Sequence, residues 1–265
     1  MVEGTIKRSL VNLKAGSNFI LDAWCKIINE AYNGYESDTK NIGIAMPGHF
    51  DYKEGICLIK NQEKLKSFYN VNIKIVLARR LNIPVESIRF MNDAAAFLQG
   101  KIFNDNSITG DQNILGLTLG MGLGTSIHSG RVTADAALWD SSFLNGIAED
   151  YFSTAWFVKR YHALSAKTIY GVKDLLASAD TDLYAPIIFK EFGRNLASFL
   201  TNLIKKFVPV IIITGGNIAG ASGAFLPVLT DTLKTNNAIT EIRIRKLNEF
   251  AALIGAAKRG DAVSN

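Results

Sequence analysis

The sequence is poor in the residues that would place it outside the cell or within a membrane. Of its 265 residues only two are cysteine, Cys25 and Cys57, too far apart to make a metal-ligand or redox pair with each other in sequence. Scarce thiols fit a reduced, cytoplasmic setting. No uncharged apolar run reaches the roughly 18 residues of a membrane span, and the opening Met-Val-Glu-Gly-Thr-Ile-Lys-Arg lacks the apolar stretch of a signal peptide. Internal repeats, low-complexity tracts and basic runs with interleaved aromatics are all missing. The net charge of +5 is therefore read as a solvated surface, with no nucleic-acid partner.

What is present is the composition of a soluble globular protein, 48% hydrophobic and 20% charged. The length exceeds the usual single-domain size, which predicts two lobes. The chain is organised around Asn113 to Gly130, Asn-Ile-Leu-Gly-Leu-Thr-Leu-Gly-Met-Gly-Leu-Gly-Thr-Ser-Ile-His-Ser-Gly. Ile114 to Leu119 is an apolar run of strand length, Gly120, Gly122 and Gly124 free the backbone, and Ser126 to Val132 reads as a second strand. In a dinucleotide fold or a P-loop the glycine loop opens a helix, but no helical pattern begins at Gly124. Alternating glycines let amides crowd around an anion and nest a phosphate. They would equally serve a tight hairpin with no ligand.

In chain order, Thr5 to Leu13 is predicted as an edge strand, and Ser17-Asn18 as the cap of a helix over Phe19 to Tyr32. Asn41 to Met46 is a short strand ending at the Pro47-Gly48 turn, with His49 and Asp51 as loop polar residues behind it. Val71 to Leu81 reads as a helix and Ser87 to Met91 as a strand, after which Asn92-Asp93 opens another helix. Asp93 suits an N-cap, and it equally suits a cleft carboxylate that takes a proton from a hydroxyl. The hydrophilic stretch Asn104 to Asn113 puts a domain boundary near Ser107. Glu149 and Asp150 stand near a helix start. A long amphipathic helix is predicted over Ile187 to Phe207, then a strand over Val208 to Thr214 and a permissive Gly215-Gly216-Asn217 turn. The last elements are a strand from Glu241 to Leu247 and a small-residue helix from Glu249 to Arg259.

Taken together, Ile42-Gly-Ile-Ala-Met-Pro-Gly48, Asn92-Asp93-Ala94, Gly120-Met-Gly-Leu-Gly124, Gly146-Ile-Ala-Glu149, Ile213-Thr-Gly-Gly-Asn217 and Ala252-Leu-Ile-Gly-Ala-Ala257 resemble, in order and spacing, the motifs of the ROK family of sugar kinases and repressors. The resemblance covers nearly everything from Ile42 onward. It implies an α/β, two-lobed actin/hexokinase-like (ribonuclease H-like) fold with mixed sheets flanked by helices. Residues 1–107 would be the sugar-binding lobe, apparently truncated, and 108–265 the nucleotide-binding lobe. It further implies Asp93 as catalytic base, Asn92, Glu149 and Gly48 as sugar contacts, Gly120, Gly122, Gly124 and Thr125 against the phosphates of ATP, and Gly215, Gly216 and Asn217 bordering the nucleoside. Mg2+ would arrive with ATP. A homodimer is the assembly it suggests.

The sequence departs from the family at several points. The Asp-x-Gly-Gly-Thr phosphate loop is absent, and Met1 falls where the family would be entering its third strand. The chain is accordingly read as truncated at its start or as having lost half of its phosphate clamp. The family's zinc-binding His and Cys-x-Cys cluster is missing, so no structural zinc is expected. Its Glu-x-Gly-His sugar contacts have no counterpart in Ala136-Ala-Leu-Trp139-Asp140, and Met121 replaces a common threonine. The leading expectation is an ATP-dependent sugar kinase, glucokinase-like in mechanism. The alternative is a non-catalytic sugar-binding or regulatory protein on the same fold.

Overall fold

A computed structural model describes residues 6–34, 40–60, 63, 65–245 and 249–258. The first helix, α1, spans Ser17–Tyr32. After it come β1 (Ile42–Met46), the small hairpin β2 (Phe50–Asp51) and β3 (Ile56–Cys57), α2 (Ile73–Leu81), β4 (Ile88–Asn92) and α3 (Asp93–Phe103). The second half runs β5 (Ile114–Leu119), β6 (Leu123–Ser129), β7 (Val132–Asp135), the hairpin β8 (Ser142–Phe143) and β9 (Gly146–Ile147), then α4 (Ala148–Tyr151), α5 (Thr154–Ser165), α6 (Val172–Ala177) and α7 (Ala185–Phe207). It closes with β10 (Ile211–Gly215), α8 (Ser222–Thr235), β11 (Glu241–Ile244) and α9 (Glu249–Ala257).

Two sheets face each other across one pair of helices. In the first, β1 and β4 pair in parallel with Ile42 opposite Ile88. The second has five strands in the order β11-β10-β5-β6-β7, with β10 parallel to β11 and β5, and β5-β6-β7 antiparallel. Strand alternation distributes the second sheet's side chains between two cores. Ile212, Leu115, Leu117 and Leu119 join the aromatic core under α5, α7 and α8, whereas Ile211, Ile213 and Ile114 meet Phe97, Leu98 and Ala251 of α3 and α9. The far face of β1 and β4 is covered by α1 and α2 through Ile20, Leu21, Leu77 and Ala78. The layers therefore run helix, sheet, helix, sheet, helix, and α3 with α9 serves both sheets.

That shared layer works because its residues are small. A Cβ at Gly100 would fall on the Ala251 carbonyl oxygen, one at Gly255 on the Ala96 carbonyl, and one at Gly43 of β1 on the Ala256 carbonyl. Backbone meets backbone at each crossing, which is the close packing the small residues of this helix permit.

Most predicted elements form, with shifted ends. Residues 6–12 make no strand, and Thr5 lies outside the described residues. Gly16 occupies the N-cap of α1 with no side-chain bond, so Ser17 and Asn18 are the first helical residues and not its cap. The strand after the glycine loop begins at Leu123, three residues early, because it pairs with β5 from Leu119 onward. Strand β10 starts only at Ile211, since Val208 turns left-handed at φ 46° and Pro209 has no amide to give. Residues 246–248 and 259, at the predicted ends of the last strand and helix, lie outside the described residues.

Candidate active site

The strand-to-helix junction at Asn92-Asp93 is the centre of the site. Asn92, extended at φ −63° and ψ 144°, is the N-cap of α3, and its Oδ1 accepts from the Ala94 and Ala95 amides at 2.8 and 3.2 Å. The cap is thus Asn92, and Asp93 is the first helical residue. Asp93 Oδ1 also accepts from Ala94 N at 2.9 Å, while its side chain opens to solvent and forms no ion pair among the described residues. Protein surrounds it closely enough that desolvation raises its pKa above the usual carboxylate value, the Ala94 amide opposing and the Asp135 charge adding to the rise. The carboxylate is thus accessible to solvent at the end of β4, with the first glycine loop beside it.

The first glycine loop is next to it. Ala94 is so close to the hairpin that a Cβ on Gly124 would lie 2.8 Å from its methyl group. Within the loop Gly120 N donates to Gly122 O at 3.1 Å, and the Gly120 carbonyl accepts from both Thr154 N and Thr154 Oγ1 at 2.8 Å. Leu123 N donates to Glu149 Oε2 at 2.9 Å. At the tip of the loop Met121 is 78% exposed. Glu149 therefore touches the glycine loop with one carboxylate oxygen. Thr125 lies deeper on β6, buried, with Oγ1 accepting from Leu138 N at 2.9 Å.

The second glycine turn backs directly onto the first. Gly216 has φ 103°, which favours glycine, and a Cβ there would strike the Leu119 backbone. Ile218 N donates to Leu119 O at 3.0 Å, and Gly215 lies over the Phe97 ring of α3. Asn217 is exposed at the rim of the turn. Sequence positions almost a hundred apart thus form one glycine-walled surface beside the α3 N-terminus.

Tyr52, Asp135 and Trp139, which sequence reasoning passed over, and His49, read there as a loop polar residue, lie around this junction. Tyr52 donates to the Gly48 carbonyl at 2.8 Å and accepts from Asn92 Nδ2 at 3.1 Å, and burial pushes its phenol up to about 12. This ties Gly48, in the turn after β1, to Asn92 at the end of β4. His49 meets Trp139 edge to face, with ring centroids 6.2 Å apart. Asp135 closes β7, a strand that lies against β4 and α3. Burial raises its pKa, opposed by the Ala137 amide and by His49. Among the described residues no group of three or more His, Cys, Asp or Glu gathers as metal ligands would, and no helix is long and apolar enough to cross a membrane.

This layered, two-lobed arrangement is the actin/hexokinase-like fold. Solved structures that share it include ROK family proteins: a ROK hexokinase from Thermus thermophilus superposes with TM-score 0.75 at 19% identity, covering 93% of this chain and 87% of its own. A ROK family glucokinase from Streptomyces griseus, in complex with glucose and AMPPNP, gives 0.69 at 22%, covering 93% and 89%. A ROK family transcriptional regulator, a homologue of the E. coli MLC protein, gives 0.71 at 18%, covering 91% of this chain and 68% of its own. In sequence, an N-acetyl-D-glucosamine kinase of Photobacterium profundum is 24% identical over 205 residues. That match spans 67% of this chain and 65% of the relative's length. No family model matches the sequence.

Proposed function

We propose that the chain is an ATP-dependent sugar kinase of the ROK type, its first lobe with α9 carrying the sugar and its second lobe the nucleotide. The observation that carries this reading is the placement of Asp93, an accessible carboxylate with no cationic partner among the described residues, one residue from contact with the glycine hairpin. Asp93 takes the proton of the acceptor hydroxyl, the freed oxygen bonds to the γ-phosphorus, and the bond to the β–γ bridging oxygen breaks to release ADP. Mg2+ enters as part of the Mg-ATP substrate and offsets charge on the transferred group. The loop-tip amides and the Gly215-Gly216-Asn217 turn form the nucleotide surface. Thr125, whose hydroxyl already serves Leu138, supports that hairpin from behind.

Asn92 keeps one amide hydrogen beyond its bond to Tyr52 and directs it to a neighbouring sugar hydroxyl. Glu149 has one oxygen on Leu123 N and the other left for the sugar, so it joins the acceptor to the phosphate loop. Gly48 lines the same pocket, its carbonyl fixed by Tyr52.

The test is ADP release with Mg-ATP over a panel of hexoses, N-acetylated hexosamines and pentoses. Asp93→Asn is expected to lower turnover by about 10²- to 10⁴-fold while nucleotide affinity holds. Equal turnover in the variant overturns Asp93 as base. Because desolvation holds the folded-state pKa of Asp93 above its unfolded value, ionising it costs stability as pH rises past the unfolded value. Asp93→Asn should therefore melt higher than the parent at neutral pH. The acidic limb of kcat/KM, which needs the carboxylate ionised, should lie above the ordinary aspartate range.

A further inference from the structure

The hydroxyl of Tyr52 joins the two strand ends of the first sheet. Met46 and Asn92 are the last register partners of β1 and β4, and the Tyr52 oxygen lies 3.2 Å from the Met46 carbonyl, 2.8 Å from the Gly48 carbonyl and 3.1 Å from Asn92 Nδ2. Carbonyl oxygens only accept, so the phenolic proton points to that pair and the phenol's lone pairs face Asn92. Burial pushes the phenol pKa up and keeps that proton in place at neutral pH. Asn92 is then held at both ends of its carboxamide. Oδ1 takes the Ala94 and Ala95 amides, and Nδ2 gives one hydrogen to Tyr52. A rotated amide would set its nitrogen against two N–H donors, so a single orientation survives and aims the second Nδ2 hydrogen.

Tyr52 is itself anchored. It opens the turn from β2 to β3, where Gly55 N donates to Asp51 O at 2.7 Å and Asp51 Oδ1 accepts from the Lys53 and Glu54 amides at 3.1 and 2.9 Å. Ile73 N donates to Gly55 O at 2.8 Å, which pins the turn to the start of α2. The Tyr52 ring packs on Phe50, and Phe50 stacks on Phe90 of β4, with centroids 5.3 and 4.9 Å apart.

We propose that Tyr52 is a positioning residue of the acceptor site: its hydroxyl, held by the strand-end carbonyls, orients the Asn92 carboxamide toward the acceptor and touches no reacting atom itself. The inference rests on the kinase reading and adds a residue to its machinery. With the hydroxyl removed, Asn92 keeps its cap on α3 and Asp93 keeps its place at the helix start, but the donor that meets the sugar is no longer aimed. Acceptor binding should suffer, and proton transfer and nucleotide binding should not.

The experiment measures steady-state ADP release in the parent, Tyr52→Phe, Asn92→Ser and the double variant, with the sugar that the parent turns over best and ATP varied in turn. Asn92→Ser keeps a helix-capping oxygen and removes the amide. In Tyr52→Phe, KM for the sugar rises about tenfold, while kcat and KM for ATP change by less than about threefold. In the Asn92→Ser background the same change raises the sugar KM by less than about twofold, because nothing is left to orient. Ile73→Val trims the buried core of the same lobe and controls for lost stability; it should leave the ratio of sugar KM to ATP KM at the parental value. An unchanged sugar KM in Tyr52→Phe, or a rise of the same size in both backgrounds, overturns the positioning role and leaves the kinase reading standing. Absence of turnover with every sugar, in a folded parent, overturns the kinase reading and this inference with it.

Discussion

The two sheets lie on either side of the same helix pair and reach stability by different routes. The second sheet has five strands and, under α5, α7 and α8, a core packed with aromatic rings. Phe192 alone sits within 6 Å of the ring centroids of Phe152, Trp156, Phe157 and Phe225. The first sheet has two parallel strands, too few to form a stable unit unaided, and parallel strands need cover on both faces. Its cover on one face comes from α1 and α2, and on the other from α3 and the late helix α9. One lobe rests on side-chain volume, and the other on how closely two backbones can approach.

Substitutions should separate these routes. The largest effect is expected from Gly100→Val, which puts a side chain on the Ala251 carbonyl and forces α9 off α3, at a cost on the order of 5 kcal/mol. Hydrogen exchange should quicken at β1 and β4 while β5 and β10 stay protected. Uniform loss of protection would mean that the lobes share one cooperative unit. Next comes Phe192→Ala, fully buried, at about 3–5 kcal/mol in urea unfolding. Here the order should invert, with the second sheet exposed first.

The smallest effect concerns a link between the α3 end and β11. Asp105 accepts from Ser107 Oγ at 2.6 Å and Ser107 N at 3.1 Å, and from Arg245 and Arg243 at 3.2 and 3.0 Å. Led by the Ser107 hydroxyl, these hold its carboxyl down at about 2. A depressed pKa gives stability that is complete above the unfolded aspartate value of about 3.9 and lost as pH falls toward the folded value. Asp105→Asn should flatten the melting-temperature profile between pH 4 and 2 and change little at pH 7. An unaltered acid limb would show that the link contributes nothing.

Much of this was legible locally. Glycines followed by β-branched and polar alternation, with no helical period, gave the hairpin, and a buried strand running into Asn-Asp-Ala gave the α3 junction. Which of Asn92 and Asp93 caps the helix was not legible, because both side chains accept amide bonds and the choice rests on where the backbone leaves the extended region. The His49, Asp135 and Trp139 neighbourhood was invisible for another reason. Those residues are far apart in the chain and meet only because β7 lies against β4 and α3. The predicted first strand failed because loose alternation carries little weight without a partner strand to pair with.

The position of α9 also sets an order in time. A chain made from its N-terminus exposes β1, β4 and α3 early, yet the helix that seats on Gly43 and Gly100 follows them and every strand of the second sheet. The five-stranded sheet can gather its β10 and β11 before that point, so the lobe encoded first is the lobe completed last. Until α9 emerges, α3 alone covers that face of β1 and β4, so the apolar surface that α9 will seat on stays open while the chain is still being made.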